Sequence, residues 1–266
     1  MAWEWIVVVY AAYFAVVAWR RPYSNALRWA AFATLLSTSV LFLLPSPAGT
    51  RQAIVRNCVP LLALLAGYRL SGLFFVAPMA SAERTLLAID RRVFATVRWQ
   101  ARPSVFLGAL ELAYLLVYAM LPLGALALVR SGAAEDLPTY WAVVLGACYA
   151  SYAMLPWIQT RPPRAIEVPV PAEGRPVGEQ TLGLRRLNLA ILRSTSNQVN
   201  TVPSGHVAAA VAAALMVLSC APRFGPAFVT LACAITLAAV AGRYHYTVDA
   251  LAGAAVALVS WLCFGR

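Results

Sequence analysis

The chain has 266 residues, of which 62% are hydrophobic and 12% charged, and its mean hydropathy is +0.73. Soluble domains are only about half apolar, so this composition excludes a soluble globular domain and predicts an integral membrane protein. The net charge is +11, and all 21 basic residues are arginine. Arginine suits phosphate binding because guanidinium is a planar bidentate donor, although a G+C-rich coding sequence would produce the same bias.

Apolar segments long enough to cross a bilayer follow one another along the chain. A transmembrane helix needs about 17 to 25 apolar residues, and we predict eight spans, at 3–19, 29–45, 57–77, 104–129, 139–158, 202–220, 226–243 and 245–264. The first has neither a basic segment before it nor a small-residue cleavage site after it, which favours a span over a removed signal peptide. Arg69 interrupts the third span and needs a partner or a wet cavity, and Glu111 in the fourth span is a candidate partner.

Two stretches between the spans are polar. Residues 81–99 combine apolar side chains at helical spacing with four arginines, which predicts an interfacial amphipathic helix lying on the membrane; the apolar set is Leu86, Leu87, Val93, Phe94 and Val97, and the arginines are Arg84, Arg91, Arg92 and Arg98. We expect Arg91, Arg92 and Arg98 to face anionic head groups. The connection 159–201 is rich in Pro and Arg and contains a short amphipathic piece around residues 184–193. Loops of this length are often lids or binding loops.

The only two histidines lie in polar motifs at span boundaries. Pro203–Ser204–Gly205–His206 opens the sixth span, and the segment 243–249, Arg-Tyr-His-Tyr-Thr-Val-Asp, opens the eighth. Counting spans places both motifs, the Thr160–Arg164 segment and the amphipathic helix on one membrane face. We therefore predict that these four stretches form one catalytic site.

The residue types in these motifs match the needs of phosphoester cleavage, which requires a nucleophile, an acid for the leaving oxygen and cations for the phosphate oxygens. His245 and Asp249 are spaced i, i+4 on a helix, so a carboxylate can hold one ring nitrogen while the other attacks phosphorus. We predict His245 as the nucleophile, Asp249 as its partner and His206 as the general acid.

Five further residues are predicted to bind the phosphate. Ser204 is an N-cap candidate, and with Gly205 it would present backbone N–H groups to an anion. Arg161, Arg164 and Arg243 would clamp the phosphate oxygens. Two alternatives remain: Ser204 can simply cap its helix, and arginines at span ends commonly anchor helices at the interface.

From Arg161 onwards these residues resemble the type 2 phosphatidic acid phosphatase superfamily of membrane lipid phosphatases and phosphotransferases. The P-S-G-H motif is present at 203–206, and the histidine and aspartate of the third motif correspond to His245 and Asp249. The family's first motif pairs Lys with Arg-Pro, but here Met154 stands at the lysine position before Arg161. Ala239 stands where most members have an arginine before the third-motif histidine.

The segments 200–206 and 245–249 also look like the branch that contains sphingomyelin and inositol phosphorylceramide synthases, which transfer a phospho head group instead of releasing phosphate. The resemblance therefore implies either hydrolysis or transfer. It also implies an extracytoplasmic site, whereas the arginine pair 20–21 and the basic amphipathic helix favour a cytoplasmic one. The side of the membrane stays open.

We predict an all-α polytopic membrane bundle of about eight transmembrane helices, with a six-helix catalytic core and one interfacial amphipathic helix. Residues 1–56 would form an N-terminal transmembrane pair, and 57–266 the lipid phosphatase or phosphotransferase domain with its polar loop 159–201. The expected location is a bacterial inner membrane.

The predicted activity is cleavage of a lipid phosphoester through a phosphohistidine. The alternatives are transfer of a phospho head group to an alcohol and a non-catalytic anionic-lipid binder or transporter. Expected substrates are a phospholipid, a sphingolipid or a polyprenyl phosphate, with no nucleic acid partner, no cofactor and no metal. The cysteines lie in or beside apolar runs without metal-ligand spacing; they are Cys58, Cys148, Cys220, Cys233 and Cys263. The oligomeric state is not predicted.

Overall fold

The computed structural model describes residues 2–43, 50–94, 104–166, 182–195, 197 and 199–265, and these residues form an all-α membrane bundle. The α-helices of this part of the chain are α1 (Ala2–Arg20), α2 (Asn25–Ser39), α3 (Thr50–Gly72), α4 (Ala80–Phe94), α5 (Ser104–Arg130), α6 (Leu137–Ala153), α7 (Pro163–Ile166), α8 (Leu182–Thr195), α9 (Gly205–Cys220), α10 (Gly225–Ala241) and α11 (Thr247–Phe264). Short 3₁₀ helices lie at Val40–Leu43 and Ala134–Asp136. The predicted fold class is confirmed.

Each predicted span corresponds to one α-helix, namely α1, α2, α3, α5, α6, α9, α10 or α11, and the second also covers the 3₁₀ helix Val40–Leu43. By length and composition α1, α5 and α11 can cross a membrane, while α9 and α10 are apolar but shorter. The predicted ends differ by a few residues, because apolar character continues beyond the last helical turn: the fifth span was predicted to reach residue 158, whereas α6 ends at Ala153. The last residues of the second predicted span, 44 and 45, lie outside the described part.

The centre of the bundle is formed by α6 and α9, with α11 packed against both. α6 is buried on nearly all sides, and Val143 and Leu145 are completely inaccessible. α9 is rich in alanine, and small residues let neighbouring helices approach closely. At Gly253 of α11 a Cβ would lie only 2.5 Å from the carbonyl oxygen of Ser204. This close approach brings the start of α9 against α11 near its own N-terminus.

The two predicted amphipathic pieces are helices α4 and α8. α4 buries Leu86 and Leu87 in a cluster with Val202 and Tyr246, so its apolar face packs against protein close to the histidine motifs. Arg84, Arg91 and Arg92 are exposed. The predicted continuation to residue 99, with Val97 and Arg98, lies outside the described residues, as does 167–181 of the polar loop.

Glu111 of α5 has partners other than the one expected from the sequence. Its carboxylate accepts hydrogen bonds from Arg185 (2.7 Å), Asn188 (2.6 Å) and Tyr244 (2.5 Å). These three donors satisfy the carboxylate, and the candidate pairing with Arg69 stays a prediction. Hydropathy does not determine how a helix is rotated about its axis, and here the rotation turns Glu111 towards α8.

Candidate active site

The four predicted stretches meet at one end of the bundle. Thr160 and Asn200 form an isolated antiparallel bridge, with the Asn200 N–H donating to the Thr160 carbonyl at 2.8 Å. The N–H of Ser204 donates to the carbonyl of Asp249 at 2.9 Å, and the N–H of Arg164 donates to the carbonyl of Arg243 at 3.1 Å. These main-chain bonds join the end of α6, the start of α9 and the start of α11.

His245 lies in the turn between α10 and α11 and is 5% exposed. Its N–H donates to the Ala239 carbonyl at 2.9 Å. Its Nδ1 lies 3.7 Å from Oδ2 of the fully buried Asp249. This distance is longer than a hydrogen bond, but catalytic hydrogen bonds are often long in the absence of substrate and shorten in the reacting complex. The carboxylate thus lies on the Nδ1 side, which leaves Nε2 as the nitrogen available to attack.

Asp249 is itself held by two donors. Its Oδ2 accepts from Asn200 Nδ2 at 2.7 Å and from the Tyr246 N–H at 3.0 Å. The second bond belongs to the capping box that starts α11. Asn200 is 1% exposed and also donates to Thr160 Oγ1 at 3.1 Å. Sequence reasoning did not assign Asn200 to the site, although a polar residue just before the P-S-G-H motif was a usable signal.

His206 lies in the first turn of α9, and its ring centroid is 5.7 Å from that of His245. Tyr118 places its hydroxyl 3.4 Å from Nε2 of His206, and Tyr114 stacks on the imidazole with centroids 5.1 Å apart. Both tyrosines belong to α5. Sequence reasoning missed them because an aromatic residue in an apolar helix has no feature that distinguishes it from core.

A small pocket opens beside the histidines. Of the predicted residues, His206, His245 and Arg164 line it; the other lining residues are Tyr68, Tyr114, Tyr152, Pro162, Val199, Thr201 and Tyr244. The Arg164 guanidinium lies 5.0 Å from the centroid of the Tyr244 ring. Burial lowers the pKa of Arg164, but guanidinium remains protonated at neutral pH. In the described part of the chain no carboxylate forms a salt bridge with it.

The other two predicted phosphate-binding arginines are already paired with acids of α4. Arg161 Nε and Nη2 donate to the two carboxylate oxygens of Glu83 at 3.0 and 2.9 Å. These hydrogen bonds hold the pKa of Glu83 below its ordinary value. Arg243 Nη1 donates to Asp90 Oδ2 at 2.7 Å. Neither arginine lines the pocket.

Ser204 and Gly205 make local contacts at the start of α9. The Ser204 side chain is fully buried, and its Oγ accepts from the Val207 N–H at 3.3 Å, which is the N-cap bond. The Gly205 N–H donates to Thr201 Oγ1 at 3.2 Å. A Cβ at Gly205 would lie 2.3 Å from the Tyr152 ring, so close packing requires glycine there. Their predicted role in phosphate binding remains a prediction, and the capping alternative has direct geometric support.

The fold and the site together define a polytopic membrane protein with two histidines, a buried aspartate and an arginine at one end of its bundle. A model of the PAP2 superfamily matches residues 78–263, which is more than half of the chain, and the chain belongs to this superfamily. No curated protein and no solved structure shows a significant match. The matched stretch contains α4 to α10 and nearly all of α11, and therefore every predicted site residue; the pocket-lining Tyr68 lies before it.

Superfamily members are generally phosphoesterases or phosphotransferases. The predicted recognition is therefore confirmed at the level of the superfamily, and membership supports a phosphatase- or phosphotransferase-type function acting on a lipid in a membrane. Resemblance to the sphingomyelin and inositol phosphorylceramide synthase branch stays a prediction. Within the described residues no group of three or more His, Cys, Asp or Glu side chains could hold a metal ion.

Proposed function

We propose that the protein is a membrane lipid phosphatase that cleaves a phosphoester through a phosphohistidine on His245. The observation that supports this most strongly is the arrangement of the pocket: His245, His206 and Arg164 line it together. Asp249 lies behind His245, 3.7 Å from its Nδ1. A nucleophile, an acid and a cation thus face one small volume.

In the first step Nε2 of His245 attacks phosphorus, and the bond from phosphorus to the lipid oxygen breaks. His206 donates a proton to the leaving oxygen, which departs as an alcohol. Asp249 orients the attacking ring and stabilises the positive charge that develops on it. Arg164 stabilises the phosphate oxygens, whose charge must be tolerated in the transition state.

In the second step water attacks the phosphohistidine, His206 takes up a proton from the attacking water, and the bond between phosphorus and Nε2 breaks. The products are phosphate and free His245. If an alcohol replaces water, the same sequence transfers the phospho group, so the acceptor decides between hydrolase and transferase. The chain's own residues supply every role, and we propose a metal-independent reaction without a cofactor.

The lipid classes that this reaction would accept are those expected from the sequence, namely a phospholipid, a sphingolipid or a polyprenyl phosphate. We further propose a bacterial inner membrane as the location. The N-terminal pair of helices, α1 and α2, would lie outside the catalytic domain, which we place at residues 57–266; the superfamily match includes neither helix.

Mass spectrometry of lipids exposed to the purified protein, with and without alcohol acceptors, tests this function. We expect vanadate-sensitive release of the dephosphorylated lipid, complete loss in His245→Ala, and an acceptor-linked product only if the protein is a transferase. Unchanged lipids in every mixture would instead support the non-catalytic binder, which has no turnover to lose.

A further inference from the structure

One carboxylate of α4 holds both ends of the turn that contains His245. Asp90 is fully buried. Its Oδ1 accepts from the Thr247 N–H at 2.9 Å, and its Oδ2 accepts from Arg243 Nη1 at 2.7 Å. The two donors come two residues before and two residues after His245. Asp90 therefore bridges the turn from outside, although it is distant in sequence.

The backbone of this turn requires such a restraint. Arg243 has φ = 59°, in the left-handed region that residues other than glycine rarely adopt. A conformation of this kind persists only where the surrounding structure holds it in place. The Arg243 carbonyl accepts the N–H of Arg164 at 3.1 Å. The same turn therefore also sets the position of the pocket arginine.

The bond from Asp90 to Thr247 satisfies one of the free N–H groups at the start of α11. That helix already has its own capping box, in which the Asp249 side chain accepts the Tyr246 N–H. Asp90 of α4 is therefore a second carboxylate at the N-terminus of α11. Capping accounts for the bond to Thr247 but not for the bond to the Arg243 side chain, which ties the other end of the 243–247 turn to the same carboxylate.

We propose that Asp90 is a positioning residue for the reaction at His245. By holding Arg243 and Thr247 it orients the nucleophile, and through the Arg243 carbonyl it places Arg164. The inference rests on the proposed function. It makes α4 part of the active site and not only a helix at the membrane surface.

The test compares Asp90→Asn and Asp90→Glu with wild type in the full-length protein, reconstituted in lipid nanodiscs. In Asp90→Asn one of the two carboxylate oxygens becomes an NH2 group, which cannot accept the hydrogen bond made at that position. In Asp90→Glu the charge is kept but displaced by one methylene. Misplacement of a reacting group by about 1 Å can lower the rate roughly 10²-fold. We expect kcat to fall by about this factor in Asp90→Asn and by less in Asp90→Glu, with KM nearly unchanged in both.

The matched control is Glu135→Gln, which removes an exposed carboxylate at the opposite end of the bundle and should leave kcat unchanged. A kcat in Asp90→Asn equal to that of the control would overturn the proposal. So would loss of the folded protein in both variants, since Asp90 would then stabilise the fold instead of positioning the turn. The phosphorylated enzyme intermediate is measured in parallel on wild type and on His245→Ala. A wild type that turns over substrate without becoming phosphorylated would reject the phosphohistidine mechanism. The comparison of kcat between Asp90→Asn and the control would still decide whether Asp90 positions the turn.

Discussion

Replacement of Arg164 should be far more damaging than replacement of Arg161, although sequence reasoning treated the two alike. Arg164 lines the pocket and has no salt-bridge partner among the described residues. Two opposite charges about 4 Å apart interact by about 4 kcal/mol at an effective dielectric constant of about 20. Loss of such an interaction in the transition state corresponds to about 10³-fold in kcat/KM. We expect a loss of this order in Arg164→Gln.

Arg161 has a different electrostatic environment. Its charge is neutralised by Glu83, and its side chain is 45% exposed, so solvent screens its remaining interaction with a bound phosphate. Because Glu83 neutralises this charge and solvent screens it, we expect its removal to cost less than about tenfold in kcat/KM. Because Arg161→Gln alone would leave the buried Glu83 unpaired, the informative variant is the double substitution Glu83→Gln/Arg161→Gln.

The assay is kcat/KM for a short-chain lipid phosphate in detergent micelles, with Arg130→Gln as the control for removal of an exposed cation at the opposite end of the bundle. We expect Arg130→Gln to match wild type, the double variant to be slightly impaired, and Arg164→Gln to be nearly inactive. Equal losses in Arg164→Gln and the double variant would refute the reasoning, because the salt bridge to Glu83 would then make no difference to phosphate binding.

Four further outcomes are expected. His206→Ala should lose lipid turnover by about 10² to 10⁴ but keep much of its first-turnover release of p-nitrophenol from p-nitrophenyl phosphate, because that leaving group needs no proton; equal losses of this first step on both substrates would reject the general-acid role. Asn200→Ala should lower kcat with both substrates, since Asp249 loses a donor at 2.7 Å, and an unchanged kcat would argue against this support. Arg91→Gln/Arg92→Gln should raise the substrate requirement in anionic vesicles without changing turnover at saturation, because each surface arginine contributes about 1 kcal/mol of attraction; the same shift in neutral vesicles would contradict this. Gly205→Ala should destabilise the protein by about 1 to 3 kcal/mol, seen as a lower thermal midpoint in detergent, since its Cβ would meet an aromatic ring at 2.3 Å.

The helices were predictable because the bilayer imposes a length on every apolar run, and the eight predicted spans each correspond to a helix. Convergence of the two histidine motifs also followed from counting spans. The pairing of side chains could not be predicted in the same way, since it depends on how each helix is rotated about its axis; the salt bridge between Glu111 and Arg185 was not foreseen.

The role of α4 was only partly predictable. Its periodicity indicated an amphipathic helix, and Glu83 and Asp90 share a face with Leu86 and Leu87, so their burial could have been read from the same pattern. The partners of Glu83 and Asp90 could not be predicted from this pattern, because Arg161 and Arg243 come from distant segments of the chain. The local pattern shows that two acids face inward. Only the fold shows that they neutralise two of the three arginines predicted to bind phosphate.

In the proposed mechanism His245 becomes phosphorylated during turnover. Wild-type protein mixed with a ³²P-labelled substrate, quenched in alkali within the first turnover and digested, should yield one labelled peptide containing His245, with a label that is stable to alkali and lost in acid. Label should be absent from His245→Ala and should accumulate on His206→Ala supplied with an aryl phosphate. Turnover by the wild type with no label on His245 would contradict the account.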